Sequence, residues 1–381
     1  MRNLTQALLA LSVACAHAAS QDPGSGNLQR PQVVVWVDED GNPFRTETLS
    51  VFTTTIRQMP TTFPSQSTPT KIASQTLFTQ TRPQPTESDT HLAGTRPEKH
   101  PLPNYNPPHH EPTRPNSDNR PYGISYSPYN ADRSCKTQEE VNQDVAKLAE
   151  YSFIRIYGTD CDQAKTLATA ARLHTMQVFG GIYDLTDFPN SLKAFDEAAT
   201  LPNGKKDWAV FHTIAIGNEL VNSNMYSPAE VTAALSEARG YLRSYGYNGP
   251  VVTVDTFSVL LKHPDLCHAS DYCAANCHAF FDNTQQPHNA GPYALEQAHA
   301  VSAAAGGKRT VITESGWPHA GLTNGAAVPS RDNQQVAVES LKSSFAHRGD
   351  DLVLFTAFDD LWKPDNQFTF DAERFWGINE R

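Results

Sequence analysis

From Pro121 onward, short apolar runs alternate with segments of helical periodicity, and that alternation leaves few folds open to this chain. The runs are Gly123–Tyr129, Phe153–Tyr157, Gln177–Tyr183, Phe211–Asn218, Val251–Thr256, Ala274–Phe280, Thr310–Thr313 and Leu352–Phe358. Each is short and bounded by turn formers, as a strand buried on both faces requires. Helical periodicity fills the gaps at Gln138–Tyr151, Gln163–His174, Asn190–Ala199, Pro228–Tyr245, Tyr293–Ala305 and Asp332–His347. Ser227-Pro228 followed by Glu230 marks one start, with an N-cap, a proline at the first helical position and a capping glutamate. Only Leu260–Leu266 is available for the helix of the fifth unit. Repeated βα units build a parallel sheet, and eight of them in about 260 residues are the size of a (β/α)8 barrel. The predicted fold class is therefore α/β, a TIM barrel over residues 121–381.

The preceding residues read differently. Met1 to Ser20 carry a basic start (Arg2), an apolar run from Ala7 to Ala16 and the small-residue motif Ala16-His17-Ala18, which predicts a secretory signal over 1–18. The apolar run is about half the length of a membrane-spanning helix. Residues 19–48 form a short leader, in which Val33–Val37 followed by Asp40-Gly41 gives a hairpin signal. From 49 to 120 the chain is dominated by Thr, Ser, Pro and Gln, and twelve of its 27 prolines fall there, so a disordered, extended linker is expected. His109-His110 lies in that tract and reads as a solvated loop, not a metal site. Together these features predict a secreted protein, extracellular or held at a cell wall, with no membrane anchor, and monomeric by default.

A net charge of −11 argues against nucleic acid as a partner. Six cysteines become five once Cys15 leaves with the signal: Cys135, Cys161, Cys267, Cys273 and Cys277. An odd number in an oxidising compartment leaves at least one thiol over or pairs one between chains. Cys135 with Cys161 is the preferred bridge, since they follow the first and second barrel strands. The close trio matches no zinc spacing, and neither metal nor cofactor is expected.

Barrels of this kind carry their working residues at the C-terminal ends of their strands. The first strand ends near Tyr126 and Tyr129, the second at Arg155-Ile156-Tyr157, the third at Tyr183-Asp184. The fourth ends in Gly217-Asn218-Glu219, the sixth in Asn276-Cys277-His278-Ala279-Phe280-Phe281 and the seventh in Glu314-Ser315-Gly316-Trp317-Pro318. The eighth runs into Phe358-Asp359-Asp360-Leu361-Trp362-Lys363. This rim is dense in aromatics and carboxylates, which suits stacking of sugar rings and fixing of hydroxyls. Alone, Glu219 could cap its loop and Glu314 could simply end a strand beside a turn. Strands four and seven, however, face one another across a barrel mouth. Two opposed carboxyls, one protonated and one ionised, are the minimal equipment for cleaving a glycosidic bond.

These motifs resemble glycoside hydrolase family 17, the β-1,3-glucanase family, in its fungal secreted cell-wall form. Ile154-Arg155-Ile156-Tyr157, Gly217-Asn218-Glu219, Asn276-x-His278-Ala279-Phe280-Phe281, Glu314 to Pro318 and Phe358-Asp359-Asp360-x-x-Lys363 follow one another in the family's order, across roughly Pro121 to Trp362. The resemblance implies a retaining mechanism, with Glu219 as general acid/base and Glu314 as the nucleophile, their carboxyl groups about 5–5.5 Å apart. It implies that Tyr126, Tyr157, Asn218, His278, Phe280 and Trp317 contact a β-1,3-glucan or related wall polysaccharide, and that Lys363 with Asp360 sits near the acid. Plant members carry Glu at the Asp360 position and Tyr-Pro-Tyr-Phe in place of residues 278–281.

Hydrolysis and transglycosylation both follow from such a glycosyl-enzyme, and the motifs do not separate them. A wall-bound adhesin that only binds glucan is the competing function, supported by the Thr/Pro tract and the Trp36 hairpin. His212 reads as a satisfied barrel histidine, Arg155 as the partner of a rim carboxylate, and Cys277 beside His278 not as a thiol nucleophile.

Overall fold

The computed structural model of the protein describes residues 32–37, 43–49, 121–364 and 367–380. The expected signal at 1–18 and the Thr/Ser/Pro tract beyond Leu49 lie outside the described residues. Within the unit formed by residues 26–106, strands Gln32–Val37 and Pro43–Leu49 pair antiparallel, with Gln32 opposite Leu49 and Trp36 opposite Arg45.

Eight parallel strands close a barrel in the other unit. They are β1 (Gly123–Ser125), β2 (Phe153–Arg155), β3 (Gln177–Ile182), β4 (Phe211–Asn218), β5 (Val251–Thr256), β6 (Cys273–Asn276), β7 (Thr310–Ser315) and β8 (Leu352–Leu354). Closure comes from β8, which pairs with β7 on one side and with β1 through Val353 and Gly123 on the other. The helices are α1 (Gln138–Ala146), α2 (Gln163–Leu173), α3 (Lys193–Ala199), α4 (Pro228–Ser244), α5 (Phe257–Lys262), α6 (Pro264–Ala269), α7 (Ala290–Ala304) and α8 (Arg331–Ser344).

Local signals explain the starts. The Ser227 side chain accepts from the Glu230 amide, the Glu230 carboxylate accepts from the Ser227 amide, and Pro228 opens α4. Thr137 and Glu140 do the same for α1. In the fifth unit His263-Pro264 interrupts the helix and splits it into α5 and α6, because a residue before proline is pushed out of helical geometry.

Several strands are shorter than their apolar runs. The run Gly123–Tyr129 pairs only as far as Ser125, and Ala274–Phe280 only to Asn276, beyond which Ala279–Phe281 makes a short, buried helical turn. Two apolar layers result. One fills the barrel from alternate strand positions, including Phe153, Phe179, Ala215, Val252, Val311 and Val353. The larger one lies between the strands and the helices that wrap them.

Cys135 and Cys161 are bridged, their Cα atoms 5.3 Å apart, which ties the loop after β1 to the loop after β2. Cys267 and Cys273 form a second bridge, and Cys277 is a buried thiol.

Candidate active site

The apolar filling of the barrel stops one layer below the mouth, where polar side chains take over. Arg155, the last residue of β2, is 2 % exposed and lies under the site. Its Nη1 donates to Glu314 Oε1 at 2.8 Å and to the Thr313 carbonyl at 2.7 Å, and its Nη2 donates to Asn218 Oδ1 at 2.7 Å. The guanidinium also faces the Tyr157 ring, 4.4 Å from its centroid. Asn276 at the end of β6 links the two halves. Its Nδ2 donates to Glu219 Oε1 at 2.7 Å, while its Oδ1 accepts from Thr313 Oγ1 at 2.9 Å and from Arg155 Nη1 at 3.3 Å.

Both glutamates follow an irregularity in their strands. Between β4 and β5 the register slips after Ala215, and Gly217 takes φ +84°, which lets the chain turn at Asn218 and Glu219. A Cβ at residue 217 would also lie 2.3 Å from the Leu220 side chain. On β7 the pairing jumps from Ile312 to Glu314 against β6, leaving Thr313 over. Such bulges re-aim the side chains that follow them, and here they bring both carboxyls to one mouth, each at most 3 % exposed.

Their electrostatics differ. Burial pushes Glu219 well above the usual carboxyl range, and the negative neighbours Glu314 and Asp255 push the same way; amide donors from Asn276 and Asn222 oppose them only in part. Burial also acts to raise Glu314, but the Arg155 charge, the His278 ring and the Tyr157 hydroxyl outweigh it and hold the group below the ordinary value. His278 Nε2 lies 3.2 Å from Glu314 Oε2. One carboxyl is thus set to keep a proton and the other to lose it.

A cavity opens beside Glu314 and is lined mainly by aromatic groups, among them Tyr126, Tyr129, Tyr157, Tyr183, Trp362 and Trp376. Of the residues expected to contact substrate, Tyr126, Tyr157, Asn218, His278 and Lys363 line it. Phe280 and Trp317 do not. Both are fully buried, with their rings 5.4 Å apart, and the Trp317 indole donates to the Val328 carbonyl at 3.0 Å. Gly316 passes so close to the Phe355 carbonyl that a Cβ would lie 2.0 Å from it, and the turn carries Trp317 under the β7–α8 loop and out of the cleft.

Asp360 also lies behind the wall. It accepts from Trp362 Nε1 and pairs with Lys363 Nζ, each at 3.2 Å. Lys363 lines the cavity together with Glu314. Burial acts to lower it, but Asp360, Glu373 and Glu314 outweigh this and raise it. Arg155 is indeed paired to a rim carboxylate, and His212 is a buried ring stacked on Phe153 at 4.2 Å with Nδ1 2.9 Å from Thr213 Oγ1.

Three polar or aromatic groups escaped the sequence reading. Glu373 and Trp376 line the cavity from a segment that follows the last strand, so no strand end pointed to them. Asp255 lies inside the apolar run of β5, 2 % exposed, behind Glu219. The carboxyl in an otherwise β-branched strand was its only signal.

Residues 123–377 match the BtgE/BtgC glycoside hydrolase domain. The cell surface mannoprotein MP65 of Candida albicans is 42 % identical over 257 residues, covering 67 % of this chain and 66 % of its own length. The probable family 17 glucosidase SCW10 of Saccharomyces cerevisiae is 43 % identical over 257 residues, covering 67 % and 64 %. The chain thus spans slightly less than two thirds of the length of these relatives. Among solved structures, the glycoside hydrolase family 17 β-1,3-glucanosyltransferase of Rhizomucor miehei superposes with a TM-score of 0.58 at 23 % identity, over 68 % of this chain and 92 % of that one. An active-site mutant of the same protein in complex with laminaritriose gives 0.57. At that identity the likeness is one of fold.

Proposed function

The chain belongs to the BtgE/BtgC glycoside hydrolase family, and from that premise we propose that it is a retaining enzyme that cleaves or rearranges β-1,3-glucan within the chain. The observation that carries this reading is the unequal treatment of Glu219 and Glu314. Glu314, held ionised by Arg155 and His278, attacks the anomeric carbon. Glu219, held protonated, gives its proton to the departing glycosidic oxygen. The carbon–oxygen bond to the leaving chain breaks as the bond to Glu314 Oε2 or Oε1 forms, giving a covalent glycosyl-enzyme. Glu219, now ionised, takes a proton from the incoming hydroxyl, and Glu314 departs. Water at that step gives hydrolysis, and a glucan hydroxyl gives transfer.

The aromatic cavity supports a sugar-binding role, because flat rings bury the apolar faces of pyranoses. The name of the Candida albicans relative, a cell surface mannoprotein, supports a place at the cell surface or wall. Residues 1–18 would then be a secretory signal, 19–48 a leader and 49–120 a linker preceding the barrel at 121–381.

Incubation with a 2-fluoro laminaribiosyl fluoride, followed by peptide mass analysis, tests the central claim. The label is expected on Glu314 in the native protein and nowhere in Glu314→Gln, which should also be inactive on laminarin. A Glu314→Gln protein that still turned over glucan would sink the assignment. Product lengths from laminari-oligosaccharides read out the balance of water and sugar acceptors.

A further inference from the structure

Glu219 stands in left-handed backbone, φ +56°, which costs free energy for a residue other than glycine. Something must hold the turn. The Glu219 amide donates to the Val254 carbonyl of β5 at 2.8 Å. The next residue of that strand, Asp255, does more. Its Oδ2 accepts from the Val221 amide at 3.0 Å, its Oδ1 accepts from the Thr256 amide at 2.8 Å, and the Asn222 amide also donates to it. One buried carboxylate therefore gathers two successive backbone amides of the turn after Glu219, together with one of its own strand.

The hold extends to the Glu219 carboxyl itself. Asn222, whose backbone Asp255 fixes, donates from Nδ2 to Glu219 Oε2 at 2.9 Å, while Asn276 donates to Oε1 from the other side. The ionisable groups around Glu219 come from three directions. Glu314 of β7 stands across the mouth with Arg155 and His278 committed to it, Tyr183 follows β3, and Asp255 lies behind on β5.

We infer that Asp255 is a positioning residue for Glu219: it fixes the 219–222 turn from behind and so sets where the Glu219 carboxyl stands. This rests on the acid/base role proposed for Glu219. Asp255 touches no substrate and carries no proton in the reaction. Its charge is one of the influences, after burial and Glu314, that raise Glu219.

Asp255→Asn tests the inference on two substrates, laminarin, whose poor leaving group needs an acid, and a 2,4-dinitrophenyl β-glycoside, whose leaving group does not. The kcat/KM on laminarin is expected to fall by about tenfold or more and kcat/KM on the aryl glycoside by less than about threefold, because kcat/KM reports the first step, where general acid catalysis is worth roughly 10²–10⁴-fold to a poor leaving group. The alkaline limb of kcat/KM on laminarin should move to lower pH. Fluorosugar labelling of Glu314 counts the folded sites, so rates are compared per competent molecule. If Asp255→Asn does not fold, Asp255→Ser keeps one uncharged acceptor for the turn and gives the same readouts. An equal fall in kcat/KM on both substrates with the alkaline limb unmoved, or an unchanged kcat/KM on laminarin, overturns the inference. A Glu219→Ala protein whose kcat/KM falls equally on both substrates overturns the acid/base reading beneath it.

Discussion

Arg155 donates from Nη1 to Glu314 Oε1 across 2.8 Å, and each of these side chains is 2 % exposed. A charge pair this deep is costly to split, because the survivor is left without water and without a partner. Arg155 also spans β2, β4 and β7 through Asn218 and the Thr313 carbonyl, so it is a structural tie as much as an electrostatic one. Arg155→Met is expected to lower stability by about 3–5 kcal/mol, read as a shift of the urea midpoint. In whatever remains folded, the acid limb of the pH–rate profile should move upward, because the largest influence holding Glu314 ionised has gone.

The opposed shifts of the two glutamates predict a bell-shaped dependence of kcat/KM on pH. Glu314 lies below its ordinary value and Glu219 well above, so the competent state, with one ionised and one protonated, fills the interval between. Activity should rise as Glu314 ionises on the acid side and fall as Glu219 ionises on the alkaline side. A profile on laminarin with both limbs below the ordinary carboxyl range would contradict this.

Asp255 links stability to pH in a definite direction. Burial raises it to about 7 in the folded protein, against about 3.9 in an unfolded chain. A raised carboxyl contributes stability that is fully present below the unfolded value and is lost as pH climbs through the folded one. The loss between about pH 4 and pH 7 is on the order of 4 kcal/mol at most, at 1.4 kcal/mol per unit. Urea midpoints at both ends of that range should show it, and Asp255→Asn should flatten the dependence.

Two tryptophans near the mouth should respond in opposite ways. Trp317 is core, and Trp317→Ala is expected to cost about 3–5 kcal/mol with little change in KM for the molecules that stay folded. Trp362 is only partly buried, lines the cavity and lies with its ring 4.8 Å from Tyr129. Trp362→Ala should raise KM for laminari-oligosaccharides with a much smaller loss of stability. Thermal melts and Michaelis constants on the two variants separate the cases, and a raised KM confined to Trp317→Ala would reverse the assignment.

The barrel was legible because its evidence is repetitive: apolar runs and amphipathic segments recur, and β4 and β5 begin and end where their runs do. The placement of Glu219 and Glu314 at facing strand ends followed from the same count. Less legible were features set by the third dimension. Trp317 follows a carboxylate at a strand end, yet the tight passage of Gly316 past Phe355 decides which way the indole goes, and no local pattern encodes that neighbour. The bulges that carry Glu219 and Glu314 to the mouth depend on register against the adjacent strands, and Glu373 reaches the cavity from beyond β8 by a path that strand periodicity does not describe.

Asn276 has two unlike ends, and the mouth of the barrel inherits their direction. Its nitrogen faces Glu219 and its oxygen faces Arg155 and Thr313. Turning that amide over would set its two donors against the guanidinium and take away the acceptor that Arg155 and Thr313 share, so Arg155 fixes the orientation. A side chain of the same shape but with identical ends, as in Asn276→Asp, has no such compass. One amide thus gives the mouth a donor side and an acceptor side.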